Sequence, residues 1–356
     1  MGAVIRVMVV FGGRSGEHEV SLASARAVMH TLHRGERYEV LPVGITREGY
    51  WLSSSDPMRE LEELARKAAS GDESSVKSLT SATGKLPVDL LDAADVVFPV
   101  LHGPYGEDGT IQGMLQLAGV PYVGSGVLAS SAGMDKVTMK KIFAFHGLPQ
   151  VEWLGLTREE WENDRINQIK AIEAALGYPC FVKPSNLGSS VGINKAKDAG
   201  ELAGALDAAA DLDRRIIVEQ GVDAREIEVA VLGNEEAEVS SPGEITIAGH
   251  DFYDYEAKYT EGGMQLEVPA RMPDETASEL REIARIAYGA IDAAGMARVD
   301  FFLERSTGGL LLNEINTIPG FTPTSVYPKL WSASGLPYEQ LLDRLIQLAL
   351  ERHGVA

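Results

Sequence analysis

Apolar runs and amphipathic stretches alternate along the first part of the chain. The run IRVMVVF is followed by a glycine turn, a stretch with apolar residues at helical spacing, and a second apolar run, YEVLPVGI. This order predicts a strand, a helix and a strand, which is a βαβ unit. A third run, DVVFPVLHG, predicts a strand that ends in the polar loop PYGEDGT. Ligand-binding loops of open α/β sheets lie at such strand ends.

Similar patterns continue through the rest of the chain. They predict strands in CFVKP and RIIVEQ with a helix at 199–212 between them, and a closing helix in YEQLLDRLIQLALERHG. A helix at 275–294 has one apolar stripe, formed by Leu280, Ile283, Ala284, Ala287 and Ile291. We therefore divide the chain into units at 1–124, 125–221 and 222–356, with a surface excursion at 53–92.

The segments ARVDFFLE and GLLLNEIN predict a hairpin that can bind metal. Alternate residues of a strand share a face, which groups Arg298 with Asp300 and groups Leu312, Glu314 and Asn316. If Asp300 pairs with Glu314, Arg298 falls opposite Asn316 and three oxygen-bearing side chains converge. Such ligands suit a hard cation such as Mg²⁺. The alternative is a solvated hairpin face with an ion pair between Arg298 and Asp300.

Composition excludes some classes of partner and compartment. Among 356 residues, 32 Lys and Arg stand against 52 Asp and Glu, and the net charge of -20 disfavours nucleic acid and anionic membranes. The single cysteine, Cys180, lies in a predicted buried strand, which favours a packing role and a reduced, cytoplasmic setting. No apolar run approaches the roughly 18 residues of a spanning helix, so we expect no membrane insertion.

A loop of glycine and serine follows the strand CFVKP. In NLGSSVG the backbone N–H groups can turn toward a phosphate, and Lys183 and Lys136 can add positive charge. Further along, Glu219 and Glu226 flank a connector whose carboxylates suit ribose hydroxyls, while the backbone at 220–222 suits an adenine edge. The alternatives are an ordinary glycine turn, solvated lysines and exposed acids, because each feature alone is weak.

Seven segments in order along the chain are GGRSGEHEVS, LHGPYGEDGTIQG, MDK, FVKPSNLGSSVG, FYDYEAKY, ARVDFFL and NEINTIPGFTPTS. Together they resemble the D-alanine:D-alanine ligases of the ATP-grasp superfamily over nearly the whole chain, except 53–92 and the extreme C-terminus. The resemblance implies an α/β and α+β protein with a three-domain ATP-grasp fold, in which the N-terminal domain is a Rossmann-like βαβ domain. It also implies ATP-dependent ligation of two D-alanines through an acyl phosphate, for peptidoglycan precursor synthesis in the cytoplasm.

The resemblance further implies roles for individual residues. ATP would be bound by Lys136, Lys183, Glu219, Gln220, Val222, Glu226 and Lys258. Two Mg²⁺ ions, or Mn²⁺ in their place, would be bound by Asp300, Glu314 and Asn316. The first D-alanine would contact Glu17, Val20, Ser21 and His102, and the second would contact Ser325 and Val326. A hydrogen-bonded triad would comprise Glu17, Ser189 and Tyr259, and the oxyanion would be stabilised by Arg298 and Gly320.

One position departs from the family pattern, since Gln220 stands where many relatives carry lysine. The tyrosine-rich loop at 249–263 is our candidate for a lid that closes over the reactants, with a stable surface loop as the alternative. The resemblance also suggests a homodimer. Three other functions stay open: a D-alanine:D-lactate ligase, a non-catalytic nucleotide-binding module, and a small-molecule kinase that stops after phosphoryl transfer.

Overall fold

The computed structural model describes residues 4–69, 82–83, 88–188, 191–247 and 264–355. The strands are β1 (Ile5–Gly12), β2 (Tyr38–Ile45), β3 (Trp51–Leu52), β4 (Ala82–Thr83), β5 (Val96–Val100), β6 (Trp153–Thr157), β7 (Cys180–Pro184), β8 (Asn194–Ala196), β9 (Arg215–Gln220), β10 (Ala224–Gly233), β11 (Glu238–Val239), β12 (Gly243–Ile247), β13 (Met264–Glu267), β14 (Gly295–Glu304) and β15 (Leu310–Asn316). The helices are α1 (His18–His33), α2 (Pro57–Ala69), α3 (Val88–Leu91), α4 (Thr110–Ala118), α5 (Val127–Met134), α6 (Lys136–Phe145), α7 (Arg158–Asn163), α8 (Arg165–Leu176), α9 (Ala199–Leu212), α10 (Asp274–Ala290), α11 (Val326–Ala333) and α12 (Tyr338–Arg352). None of these helices is long and apolar enough to span a membrane.

The first sheet has the strand order β4-β3-β2-β1-β5. Strand β1 pairs in parallel with β2 and β5, so the predicted βαβ unit and third strand are confirmed. The carboxyl ends of β1 and β5 therefore lie side by side, which brings together the loops that follow them. Helix α2 falls within the predicted surface excursion at 53–92, yet its Met58 and Leu61 are buried in the core. This part of the excursion therefore packs against the sheet instead of lying on the surface.

Two further sheets carry the rest of the chain. One has the order β6-β9-β7-β8, and the other has the order β13-β12-β10-β14-β15 with β11 on the side of β10. Cys180 is buried in the core of the β6–β9 sheet, as predicted, and burial raises the pKa of its thiol to about 11. The predicted stripe of α10 is also confirmed, because Leu280 and its partners pack against the third sheet.

The β14–β15 hairpin has the predicted register, with one irregularity. Asp300 pairs with Glu314, and Arg298 pairs with Asn316. The register shifts directly after Asp300, so that Phe301 pairs with Leu312 and Asn313 is the extra residue of a β-bulge. Leu312 was expected on the face of Glu314, but the bulge turns it into the core beside Phe301. Bulges occur frequently beside active sites, where they re-aim side chains.

Helix α12 completes the core of the first sheet. Val7, Phe98 and Leu345 are fully or almost fully buried in one continuous hydrophobic cluster. The hydroxyl of Tyr38 on β2 donates a hydrogen bond to Asp343 on α12 at 2.7 Å. Tyr38 and Asp343 are 305 positions apart in the sequence. The packing of the first sheet thus depends on a helix far along the chain.

We expect Leu345→Ala to destabilise the protein by about 3 kcal/mol, because it opens a cavity where α12 packs on the first sheet. Urea unfolding of the full chain would measure the change. Leu117→Ala is the matched control, since Leu117 on α4 is 93% exposed and should change stability little. Equal effects of the two substitutions would contradict this account of the core.

Candidate active site

Two cavities meet at the face of the β14–β15 hairpin. The first has a volume of about 520 Å³ and lies beside the start of α1, the loop after β5 and the segment after β15. The second, of about 610 Å³, lies between the second and third sheets. Both are lined by Lys136, Gly188 and Glu314. A ligand in one cavity would therefore touch residues that also face the other.

Most of the predicted site residues line these cavities. Those that line the first are Glu17, Val20, His102, Lys136, Arg298, Glu314, Asn316, Gly320, Ser325 and Val326. Those that line the second are Lys136, Lys183, Glu219, Gln220, Val222, Glu226, Asp300 and Glu314. Among them, apart from Lys136, which lines both cavities, the residues expected to bind amino acids line the first cavity and those expected to bind ATP line the second.

A few predicted residues are placed elsewhere or lie outside the described residues. Ser21 does not line either cavity, since its hydroxyl is buried, accepts from the N–H of Gly12 at 2.8 Å and donates to the carbonyl of Val100. It ties the ends of β1 and β5 together. Ser189, Lys258 and Tyr259 lie outside the described residues, as does the predicted lid at 249–263.

Two glycines, Gly103 and Gly188, approach the carboxylate of Glu17. Gly103 has a φ of +70°, and a Cβ atom added to it would lie 2.6 Å from Glu17 Oε2. A Cβ atom on Gly188, in the glycine and serine loop, would lie 3.0 Å from the same oxygen. A larger residue at Gly103 would be strained by both its conformation and this contact. The loop after β5 and the glycine and serine loop therefore both reach the carboxylate of Glu17.

His102 is held as a neutral ring by the protein itself. Its Nδ1 lies 2.9 Å from the carbonyl oxygen of Ile318, so this nitrogen carries the proton and donates. Its Nε2 is then an acceptor, 3.3 Å from the hydroxyl of Ser24. Burial lowers the pKa of His102, against the opposing influence of Glu17. The ring therefore joins α1 to the segment after β15 while it forms part of the cavity wall.

Two lysines bind one buried carboxylate at the second cavity. Lys183 Nζ lies 2.5 Å from Glu219 Oε2, and Lys140 Nζ lies 3.0 Å from Glu219 Oε1. Burial raises the pKa of Glu219, but the two ammonium groups outweigh burial and hold this pKa at about 2. Glu219 was predicted to contact ATP. In the structure its carboxylate forms ion pairs with Lys140 and Lys183. It fixes Lys183 in the cavity wall.

Arg298 bridges two acidic residues beside the predicted metal ligands. Its Nε and Nη2 donate to the two oxygens of Asp300 at 2.8 and 2.7 Å, and Nε lies 3.0 Å from Glu228 Oε2. The ion pair considered as an alternative to metal binding is therefore present. The face is not solvated, however, because Asp300 and Glu228 are only 8% and 3% exposed. A cation at Asp300 would share this carboxylate with Arg298.

The donor atoms of the hairpin fit a hard divalent cation. Asp300, Glu314 and Asn316 offer two carboxylates and one amide oxygen at adjacent positions of the register. Among the described residues, no three His, Cys, Asp or Glu side chains cluster as metal ligands. A cation here would need phosphate or water oxygens as well, which is how Mg²⁺ commonly binds at nucleotide sites.

Comparison with known proteins identifies the family. Residues 6–125 match the family described as D-ala D-ala ligase N-terminus, and residues 142–347 match D-ala D-ala ligase C-terminus. The chain belongs to the D-alanine:D-alanine ligase family. A D-alanine--D-alanine ligase of Bacillus cytotoxicus is 46% identical over 98% of this chain and 96% of its own length. One of Thermoanaerobacter sp. is 50% identical over 98% of this chain and 97% of its own length.

Solved structures of this ligase family have the same fold. The D-alanine-D-alanine ligase of Coxiella burnetii has a TM-score of 0.79 and 33% identity, and the match covers 98% of this chain and 96% of that one. The VanG D-Ala:D-Ser ligase of Enterococcus faecalis has a TM-score of 0.81 and 36% identity, covering 98% of this chain and 100% of that one. The predicted ATP-grasp fold class is thereby confirmed.

Sequence reasoning missed three charged residues of the candidate site. Lys140 is four residues after Lys136 on α6, a spacing that places both on one helix face. Glu228 is two residues after Glu226 on β10, which places both on one face of the strand. Glu107 lies in the loop PYGEDGT and lines the first cavity. Spacing could have indicated the first two, but their burial depends on the fold.

Lys140→Met should destabilise the protein by about 3 kcal/mol, because it removes one partner of a buried ion pair and leaves Glu219 with Lys183 alone. Denaturant unfolding at pH 7 would measure the loss. Arg271→Met is the control, since its pair with Glu267 lies at the surface, where Arg271 is 86% exposed. If Lys140→Met lost no more stability than Arg271→Met, the buried carboxylate of Glu219 would not need its second lysine.

Proposed function

We propose that this chain joins two D-alanine molecules into D-alanyl-D-alanine through an acyl phosphate, with conversion of ATP to ADP and phosphate. The chain is an ATP-dependent ligase by its family, whose N-terminal and C-terminal parts both match. The observation that carries the proposal is the meeting of two cavities at Lys136, Gly188 and Glu314. A carboxylate in the first cavity and a triphosphate in the second can meet at this junction.

The first step transfers a phosphoryl group from ATP to the carboxylate of the first D-alanine. Negative charge spreads over the phosphoryl oxygens in the transition state and requires positive partners placed in advance. Lys183, fixed by Glu219, supplies one. Lys136 supplies another, since it lines both cavities and donates to the carbonyl of Leu187 at 2.9 Å. We propose Lys258 as a further contact to the transferring group.

The second step is attack by the amine of the second D-alanine on the acyl phosphate. The attacked carbonyl becomes an oxyanion, which we propose is stabilised by Arg298 and the backbone N–H of Gly320. Both residues line the first cavity, together with Ser325 and Val326 of the proposed second subsite. Phosphate then leaves and the peptide bond is complete. The triad of Glu17, Ser189 and Tyr259 would hold the loops around the reactants.

Asp300, Glu314 and Asn316 would hold Mg²⁺, or Mn²⁺ in its place. The bound cation would neutralise charge on the phosphates of ATP. A second ion, a homodimer, and action in the cytoplasm are also part of the proposal. The family membership is compatible with each of them, and the buried thiol of Cys180 fits a reducing compartment.

The proposed function differs from that of related ligases in the nucleophile of the second step. The similar structure from Enterococcus faecalis is that of a D-Ala:D-Ser ligase. D-Lactate is the other nucleophile considered above. We propose D-alanine, because the segment YEAKY resembles the peptide-forming members. The test is incubation with D-alanine, ATP and Mg²⁺, alone and in competition with D-serine or D-lactate, followed by identification of the product. ADP release without a dipeptide would instead favour a kinase.

Glu314→Ala should lower the rate of D-alanine-dependent ADP formation by at least about 10²-fold, since it removes a carboxylate from the junction of both cavities. The unfolding midpoint should change little. Glu304→Ala is the matched control, because Glu304 ends β14 outside both cavities. Wild-type turnover by the first variant would contradict the proposed phosphoryl-transfer site.

A further inference from the structure

Glu107 closes the loop that follows β5. Its carboxylate Oε2 accepts from the N–H of Gly103 at 2.6 Å, and its own N–H donates to the carbonyl of Gly103 at 2.9 Å. These reciprocal bonds hold Gly103 against Glu17, as described above. The side chain of Gln112 donates to the carbonyl of Gly106 at 2.8 Å and supports the same turn. Glu107 therefore fixes the position of the cavity wall next to Glu17.

Glu107 also faces the first cavity, although only 7% of it is exposed. Glu17 also lines this cavity, and both carboxyl groups approach Gly103: its N–H donates to Glu107, and a Cβ atom on it would lie 2.6 Å from Glu17 Oε2. A negative charge on Glu107 is unfavourable beside the charge of Glu17 where water is scarce. Burial, followed by the charge of Glu17, raises the pKa of Glu107 to about 8, against the opposing influence of the Gly103 N–H, Arg298 and Lys136.

The charged and titratable groups around Glu107 come from several elements. Glu17 precedes α1, Lys136 begins α6, and Arg298 and Glu314 lie on the hairpin. Burial lowers the pKa of His102, which disfavours an extra proton on this ring. Glu107 is the described group in this wall whose pKa is raised, so it is the one placed to give up a proton when positive charge arrives.

We propose that Glu107 is a second carboxyl of the subsite for the first amino acid, and that it releases its proton when the ammonium group of D-alanine enters beside Glu17. The inference rests on the proposed function, which supplies the D-alanine. The proton passes from the carboxyl of Glu107 to the solvent, while D-alanine keeps its ammonium group. A positive charge between the two carboxylates removes the repulsion that kept the proton bound.

The test is calorimetry of D-alanine binding to the full chain with a non-hydrolysable ATP analogue and Mg²⁺. Titrations in two buffers of different ionisation enthalpy give the number of protons released. At pH 7 we expect the wild type to release about one proton more than Glu107→Gln, and the difference to approach zero by pH 9, where Glu107 is already ionised. The glutamine keeps an acceptor for the Gly103 N–H but cannot ionise.

Asp108→Asn provides the matched control. Asp108 accepts from the N–H groups of Tyr105 and Thr110 in the same loop, at 2.9 and 3.0 Å, but does not line the cavity. This variant should release as many protons as the wild type. If Glu107 only supported the structure of the loop, Glu107→Gln would behave like Asp108→Asn. Both variants would then change the affinity for D-alanine, and neither would change proton release.

Each of three results would overturn the inference. Equal proton release by the wild type and Glu107→Gln, with D-alanine bound in both, would remove the role of Glu107 and leave the proposed function intact. Absence of D-alanine binding to the wild type would overturn the proposed function as well. If the glutamine variant failed to fold, the wild type alone would decide, because no proton release at pH 7 contradicts the proposal.

Discussion

The antiparallel register of β10, β14 and β15 determines which charges of the site face one another. Glu228, Asp300 and Glu314 occupy one row across these strands, and Arg298 lies in the next row opposite Asn316. Carboxylates at neighbouring positions repel one another in a buried wall. The guanidinium of Arg298 offsets this repulsion from within the sheet. A slip of one residue between β14 and β15 would turn Glu314 and Asn316 away from Asp300, and a slip between β10 and β14 would turn Glu228 away from Arg298.

Short-range pairing explains how a strongly acidic protein can bind an acidic nucleotide. The net charge of -20 repels anions at a distance. Lys136 and Lys183 line the cavity proposed for ATP, and Lys140 is buried behind Glu219. In this low-dielectric setting a charge acts strongly on its immediate neighbours. The affinity for phosphate therefore depends on a few fixed lysines and on backbone N–H groups, and little on the overall field.

The sequence predicted the features that follow from regular spacing of residues, but it did not predict those that depend on packing. The period of two along a strand grouped Arg298 with Asp300 and Glu314 with Asn316, and the structure has the hypothesised register in which these two groups face each other. The bulge at Asn313 was missed, because it depends on how Phe301 and Leu312 pack in the core. The role of Glu107 was also missed, since a loop glutamate becomes buried only when the turn around Gly103 closes. Strand β6 and helix α11 were not predicted, because neither has a distinctive period of apolar residues.

The packing of α12 on the first sheet affects the order in which the protein can fold. Leu345 is synthesised long after Val7, and both belong to one hydrophobic cluster. Contacts of such long sequence separation form slowly, because a long loop must close before they are gained. During synthesis, this face of the first sheet therefore lacks the cover of α12 until α12 has been made. Apolar surface exposed in this interval is a surface that chaperones bind.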